Sequence, residues 1–151
     1  MIIARTFDKE IIDSVLKHPA VKAFIEDDQC GDVEYPVIDP IYYLAAWEGD
    51  TIAGMFVVFG INGTTADAHS SILPGFYGEK AKEAGRKAIS WVFMNTDFQK
   101  INGSTPICNP RAIKYAESIG FTREGLNKKS YMKNGKLYDQ VYFGVERESW
   151  A

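Results

Sequence analysis

The chain has 151 residues, of which 46% are hydrophobic, 25% charged and 13% aromatic, a composition typical of a folded globular domain and not of a disordered segment. At this length one domain can bury about two-thirds of the surface that its unfolded chain exposes. The formal net charge of −3 argues against a nucleic-acid-binding protein, because binding to phosphates requires a basic surface that releases counterions.

Two further properties bear on the compartment and on metals. The sequence has no apolar run long enough to span a membrane, and its first residues lack the basic and apolar regions of a secretory signal. The two cysteines, Cys30 and Cys108, form neither a disulfide framework nor a zinc-binding spacing. We therefore expect a cytoplasmic protein without a metal site.

The first half of the chain predicts a strand, a helical stretch, a loop and three more strands. The helical stretch runs from about Asp8 to Asp28 and is divided at Pro19, and turn residues between Gln29 and Pro40 indicate a loop beside a site. Tight turns are predicted between the last three strands, where Asn-Gly is the strongest two-residue hairpin signal. The predicted strands are Met1–Arg5, Ile41–Glu48, Thr51–Gly60 and Thr64–Leu73.

The second half alternates helices and strands. Small and apolar residues at helical spacing predict a helix over Glu79–Asn95 that lies close to a sheet. A second helix begins at Asn109 and Pro110, because asparagine caps a first turn and proline loses no hydrogen bond there, and Gly120 is the expected left-handed end. The strands predicted around these helices are Lys100–Cys108, Phe121–Met132 and Tyr138–Glu146.

The element order is β-α-α-β-β-β-α-β-α-β-β, which predicts an α/β protein with one mixed sheet and helices on both faces. We expect a single domain over residues 1–151.

The junction before the first long helix is a candidate phosphate site. A glycine-containing turn that leads into a helix leaves backbone N–H groups without partners, and with the helix dipole these attract a pyrophosphate. Lys80 and Lys82 add positive charge at this position. An ordinary loop before an ordinary helix is the alternative interpretation.

A second pattern lies near the C-terminus. It begins with N-x-x-A at Asn109 and Ala112, and seven residues separate Ala112 from the pair Gly120-Phe121. The pair Glu124-Gly125, a G-x-x-x-D from Gly135 to Asp139 and a final Trp150 follow. This pattern resembles the C-terminal half of GNAT N-acetyltransferases, over roughly residues 66–150. It looks most similar to the branch that modifies protein N-termini and to GNAT-like proteins encoded by bacteriophages.

The resemblance implies a GNAT-like fold whose sheet is splayed between the fourth and fifth strands, with acetyl-CoA bound in the splay as co-substrate. The pantetheine arm would contact backbone groups of Ile72 and Leu73. The pyrophosphate would bind the amides of the turn before the Glu79–Asn95 helix. Asn109 and the helix that follows it would line the far side of the cofactor. The residues implied for these last two contacts are Gly78, Glu79, Lys80, Ala81, Asn109, Ala112 and Tyr115.

The sequence departs from the family pattern at two places. The phosphate turn has one clear glycine, Gly78, and carries an acidic side chain at Glu79. The tyrosine that many members place seven residues after the motif asparagine is Ala116 here, and Tyr115 points about 100° away around the helix.

The implied reaction is direct attack of a neutral amine on the acetyl thioester, which requires a base and an oxyanion donor. His69 is the candidate base. Strand alternation places Asp67 and Ser71 on the same face of the strand as His69, and Ser71 is a second catalytic candidate. Candidate acceptor contacts are Glu26, Trp47 and Tyr131. A structural histidine, a solvated helix end and core aromatics remain the respective alternatives.

Two functions remain open at this point. The first is an acetyl-CoA-dependent N-acetyltransferase whose acceptor is a primary amine, either a protein N-terminus or a small amine. The second is a catalytically degenerate GNAT-fold bacteriophage structural or interaction protein, to which the two departures point. The expected partner is the amine acceptor and neither nucleic acid nor membrane. A homodimer stays open, and a phage-encoded protein would act in the host cytoplasm.

Overall fold

The computed structural model describes residues 1–28 and 30–150; Gln29, where the predicted loop begins, and Ala151 lie outside the described residues. Within this range seven strands form one sheet in the order β1-β2-β3-β4-β5-β7-β6. Among the strands of residues 1–28 and 30–150, only β4 and β5 are parallel neighbours, so the sheet is mixed. The predicted fold class and element order are confirmed.

The strands are β1 Ile2–Arg5, β2 Ile41–Glu48, β3 Thr51–Gly60, β4 Thr65–Ile72, β5 Lys100–Pro106, β6 Thr122–Lys133 and β7 Lys136–Glu146. The helices are α1 Lys9–Leu16, α2 Pro19–Ile25, α3 Glu79–Asn95 and α4 Pro110–Ser118, followed near the C-terminus by a short 3₁₀ turn, Arg147–Ser149. The predicted bounds of β2 and β3 agree with the structure, and the ends of the other strands differ from it by at most two residues. The predicted break at Pro19 and the predicted helix over Glu79–Asn95 are both present.

Helices cover both faces of the sheet. On one face a buried cluster that includes Phe56 and Val92 joins α3 to the central strands. On the opposite face a second cluster, which includes Ile12, Tyr43 and Met55, joins α1 to β2 and β3. Because strand side chains alternate between faces, each central strand contributes to both cores.

The sheet opens between β4 and β5. The two strands pair at Thr65–Lys100, Ala66–Ile101 and Asp67–Asn102. Beyond this last pair β4 continues to Ile72 and β5 to Pro106, and the strands diverge. The predicted splay is therefore present, and its open end faces the N-termini of α3 and α4.

The Glu-Gly pair of the C-terminal pattern has a structural explanation. Glu124 is the extra residue of a β-bulge in β6, and its carboxylate crosses Gly144 of β7 to reach Lys100 of β5, with Nζ and Oε1 2.7 Å apart. A Cβ atom on Gly144 would lie 2.6 Å from that carboxylate. The glycine on the intervening strand thus allows the ion pair to form.

The aspartate and the tryptophan of the pattern are also structural. Asp139 accepts the N–H of Lys129 at 2.8 Å where β6 is irregular and Lys129 has φ 51. The Trp150 ring packs over Gly120, and its Nε1 donates to Ser90 Oγ at 3.0 Å. The last residues are thereby fastened to α3 and to the end of α4.

Candidate active site

The N-terminus of α3 is open. Gly78 occupies the cap position with φ 83 and ψ −133, a conformation that glycine adopts far more readily than other residues. Within the described part of the chain no side chain caps this end, whereas Asp8 caps α1 and Asn109 caps α4. The first-turn N–H groups of α3 are therefore available to an anion.

These groups face a cavity of about 510 Å³ between the N-terminal ends of α3 and α4, which we call the phosphate groove. Its basic side chains are Lys82, Arg111 and Lys114. The acidic Glu79 turns to solvent with 86% of its side chain exposed, and it pairs with Lys82 at 3.2 Å. The groove thus presents cations and a positive helix end, which suits a multiply charged phosphate ligand.

The two lysines predicted for this site have different environments. Lys82 lines the phosphate groove, whereas Lys80 does not line it and forms an ion pair with Glu48 of β2 at 3.0 Å. The expectation that both lysines add charge to the groove is wrong for Lys80. Arg111, whose guanidinium lies 5.1 Å above the Tyr77 ring, occupies the groove instead.

The backbone edge of β4 can be assigned from its hydrogen bonds. The N–H of Leu73 donates to Ala53 O on β3 at 2.9 Å, and Leu73 O accepts the N–H of Phe76 at 3.2 Å. Alternation along the strand directs the backbone groups of Ser70 and Ile72 into the splay. The predicted pantetheine contact at Leu73 is therefore wrong, and the contact at Ile72 remains a prediction.

A second opening, the inner cavity, has a volume of about 270 Å³ and extends from the splay between α3, α4 and the sheet. It meets the phosphate groove at residues that line both openings: Phe24, Ser70, Asn109, Ala112 and Tyr115. Three of the predicted cofactor contacts, Asn109, Ala112 and Tyr115, thus lie at this junction.

His69 lies at the rim of the inner cavity with 52% of its side chain exposed. Its Nε2 is 3.4 Å from Asp67 Oδ2, and its ring stacks on Phe59 with centroids 6.0 Å apart. The carboxylate can stabilise a protonated imidazole, which is the arrangement that a general base needs. Ser71 shares this face, is buried and lines the phosphate groove.

Asn102 lies at the last β4–β5 pair, beside Asp67. Its Oδ1 is buried and has no hydrogen-bond partner among residues 1–28 and 30–150. A buried carbonyl without a partner is costly. Asn102 does not line either opening, so we assign no ligand contact to it.

The three candidate acceptor contacts do not all lie together in the structure. Tyr131 lines the inner cavity, and its hydroxyl donates to Glu26 O at 3.1 Å. Burial raises the pKa of Tyr131. The Glu26 carboxylate faces Lys22 at 3.7 Å. Trp47 packs in the α1-side core, the alternative given for it above. The structure thus brings Tyr131 and the backbone of Glu26 together and leaves Trp47 in the core.

The end of α2 is attached to the β6–β7 hairpin. The Asp28 carboxylate accepts the N–H groups of Gly135 at 2.7 Å and Asn134 at 2.8 Å. These hydrogen bonds lower the pKa of Asp28. Asp28 therefore has a structural role in the acidic run that also contains Glu26.

Tyr115 connects the two helices beside the site. Its hydroxyl donates to Ala81 O at 2.8 Å, and burial strongly raises the pKa of Tyr115, which keeps the hydroxyl protonated. Gly85 makes the contact possible, because a Cβ atom there would lie 2.5 Å from the Tyr115 hydroxyl oxygen. Ala116, where the family pattern has tyrosine, lines the inner cavity.

Sequence reasoning missed Arg111, Lys114 and Phe24. The two cations follow the Asn109 cap on the first turns of α4, and this position beside a candidate cofactor helix was the available signal. Phe24 on α2 reaches both openings although it is remote in sequence, and no local pattern indicates this.

No group of three or more His, Cys, Asp or Glu side chains in residues 1–28 and 30–150 could hold a metal ion. In the same part of the chain, each helix is too short or too polar to cross a membrane.

Comparison with known proteins supports the assignment of the fold. The chain is 28% identical over 116 residues to the SPbeta prophage-derived uncharacterized N-acetyltransferase YokL of Bacillus subtilis, a match that covers 74% of this chain and 65% of that protein. The chain thus spans slightly less than two-thirds of this relative's length.

Solved structures of spermidine N-acetyltransferase SpeG from Vibrio cholerae share the fold. The complex of the V. cholerae enzyme with CoA and spermine superposes with a TM-score of 0.79 at 16% identity and covers 99% of this chain and 96% of that chain. A point mutant of the same enzyme, with alanine in place of a phenylalanine, gives a TM-score of 0.69 at 20% identity, with 74% and 69% covered.

A family model described as "Protein of unknown function (DUF2824)" matches residues 4–151. The splayed mixed sheet, the open start of α3 and these similarities lead to one conclusion: the chain has the GNAT N-acetyltransferase fold and belongs to the DUF2824 family.

Proposed function

We propose that this protein is an N-acetyltransferase that transfers an acetyl group from acetyl-CoA directly to a primary amine. The observation that carries the proposal is the continuity of three features: the open N-terminus of α3, the basic phosphate groove and the splay between β4 and β5. An extended molecule with a phosphate-rich end and a reactive end matches this arrangement.

The phosphates of CoA would occupy the groove. The first-turn amides of α3 after Gly78 would bind the pyrophosphate, and Lys82, Arg111 and Lys114 would neutralise its charge. The pantetheine arm would then extend along the exposed backbone edge at Ser70 and Ile72. This places the thioester at the junction of the two openings.

His69 would act as the general base. The amine nitrogen attacks the thioester carbonyl, so that a C–N bond forms and the C–S bond breaks. The His69 imidazole takes the proton that the amine loses, and Asp67 stabilises the imidazolium. CoA leaves as a thiolate that takes a proton from solvent, and backbone N–H groups at the splay stabilise the oxyanion.

The acceptor would approach from the rim where Phe24, His69 and Tyr131 line the inner cavity. A polyamine and a peptide N-terminus both supply the neutral amine that the reaction needs. The V. cholerae enzyme of the same fold was solved with CoA and spermine, so polyamines are the first acceptors to test.

The first experiment is calorimetric titration of the protein with CoA and acetyl-CoA. We expect saturable binding with one site per chain. Acetyl transfer to spermidine, spermine and a peptide with a free N-terminus then identifies the acceptor class. Absence of CoA binding at millimolar concentration would contradict the proposal and favour a structural or interaction role.

Substitution of the proposed base separates chemistry from binding. His69→Ala is expected to lower kcat about 100-fold or more, with little change in the Kd of CoA, because general-base catalysis contributes at least this factor. His18→Asn is the matched control, since His18 caps α2 through Nδ1 and asparagine can take over that cap. Equal kcat values for the two variants would exclude His69 as the base.

A further inference from the structure

We propose that the inner cavity accepts the acyl chain of the CoA thioester and that the preferred chain is longer than acetyl, about four to six carbons. This inference rests on the proposed function, because it requires CoA in the phosphate groove. It names the donor class and leaves the acceptor unchanged.

The phosphate groove and the inner cavity are continuous. Ser70, Asn109 and Ala112 line both the phosphate groove and the inner cavity, so the two openings meet at these residues. A thioester at this junction has its pantetheine arm on the groove side. Its acyl carbons therefore point into the inner cavity.

The deep wall of the inner cavity is apolar. The side facing α3 is formed by Ala88, Ile89 and Val92, which are 4%, 4% and 2% exposed. Val58 and Ile101 of the sheet, 2% and 1% exposed, complete it. In the part of the chain that the structure describes, no Lys, Arg, Asp or Glu side chain lines this cavity. Such a wall favours hydrocarbon over water.

The inner cavity is larger than an acetyl group requires. The inner cavity has a volume of about 270 Å³. An engineered apolar cavity of about 150 Å³ holds benzene, which has six carbons. A single acetyl methyl group would therefore leave most of the wall without contacts, and lost contacts weaken binding. Alanine at positions 68, 88, 112 and 116 keeps this space open.

The test is direct binding, which needs no acceptor. Calorimetry on the purified full chain gives Kd values for CoA, acetyl-CoA, butyryl-CoA and hexanoyl-CoA. Each added methylene that the wall covers should tighten binding about fourfold, which corresponds to ~0.8 kcal/mol. We expect butyryl-CoA to bind about 15-fold more tightly than acetyl-CoA, since it carries two more methylenes.

Two wall variants should shift the preference in opposite directions. Ala88→Leu fills the cavity and should abolish the advantage of butyryl-CoA over acetyl-CoA. Val92→Ala enlarges the cavity and should raise the affinity for hexanoyl-CoA relative to butyryl-CoA above the wild-type ratio. The matched control is Val145→Ala, a buried valine of the same core that does not line the cavity and should leave the chain-length preference unchanged. Thermal melting confirms that each variant is folded.

The outcomes separate the two proposals. Equal Kd values for acetyl-CoA and the longer thioesters, or weaker binding of the longer ones, would overturn the inference and leave the proposed function intact. A chain-length preference that Ala88→Leu and Val92→Ala do not alter would also overturn it. No binding of CoA or of any thioester would reject both proposals.

Discussion

The two ends of α3 are built in opposite ways. At the C-terminal end the Arg147 guanidinium donates to three carbonyl oxygens, those of Phe93 at 2.5 Å, Thr96 at 2.7 Å and Phe98 at 2.9 Å. At the N-terminal end Gly78 supplies no side chain, and the first-turn amides face the phosphate groove. One end is completed by a side chain of the protein, and the other has no side-chain cap among the described residues.

This difference follows from the requirements of a helix. Each end leaves backbone groups without intrahelical partners, and a cation near the C-terminus or an anion near the N-terminus is stabilising. The cation is supplied by Arg147, which lies 52 positions after Asn95, the last residue of α3. Under the proposed function, CoA supplies the anion at the other end.

Removing the Arg147 hydrogen bonds from the C-terminal end of α3 should have the largest effect on stability. Arg147→Ala leaves three carbonyl oxygens without a charged donor, so we expect the free energy of unfolding to fall by about 3 kcal/mol. Urea denaturation with a shared m-value measures this change.

Arg123→Ala is the control for Arg147→Ala, because the Arg123 guanidinium pairs with Glu117 on the surface at 3.2 Å. Exposed pairs contribute little, and we expect a change below about 0.5 kcal/mol. If both variants lower the free energy of unfolding by the same amount, Arg147 stabilises the C-terminal end of α3 no more than a surface ion pair would.

Weakening the open end should affect ligand binding and not folding. Arg111→Ala removes one of the groove cations, so we expect the Kd of CoA to rise about tenfold, or ~1.4 kcal/mol. This increase in Kd should become smaller as salt is added, because the contact between Arg111 and the phosphates is partly exposed. Calorimetry at two ionic strengths tests both points, with Arg123→Ala as the remote control. An unchanged Kd would place the phosphates elsewhere.

Sequence patterns predicted the parts of the site that depend on neighbours in the chain. The start of α3 at Glu79, the Asn109 cap of α4 and the divergence of β4 from β5 all follow from local turn and capping chemistry or from the family resemblance. Side-chain alternation along β4 also placed His69 and Asp67 on one face, and their 3.4 Å contact confirms it.

Contacts between distant segments were beyond such patterns. Alternation assigns side chains to faces, but it does not tell which neighbouring strand receives a backbone N–H, and the error at Leu73 arose in this way. The partner of Lys80 is Glu48 on β2, and that of Trp150 is Ser90 on α3. These pairings depend on how the elements pack and not on their sequence spacing.

The smallest expected effect concerns the hydrogen bond that positions the N-terminal end of α3. Since no side chain of the described residues caps α3, its first turn is fixed from the side by the Tyr115 hydroxyl, which donates to Ala81 O at 2.8 Å. Tyr115→Phe keeps the ring and removes this bond, so the free energy of unfolding should fall by about 1 kcal/mol. Tyr142→Phe, at an exposed tyrosine, should leave it unchanged in the same urea titration. Equal stability of the two variants would mean that packing around Gly85, and not the hydrogen bond, positions the first turn of α3.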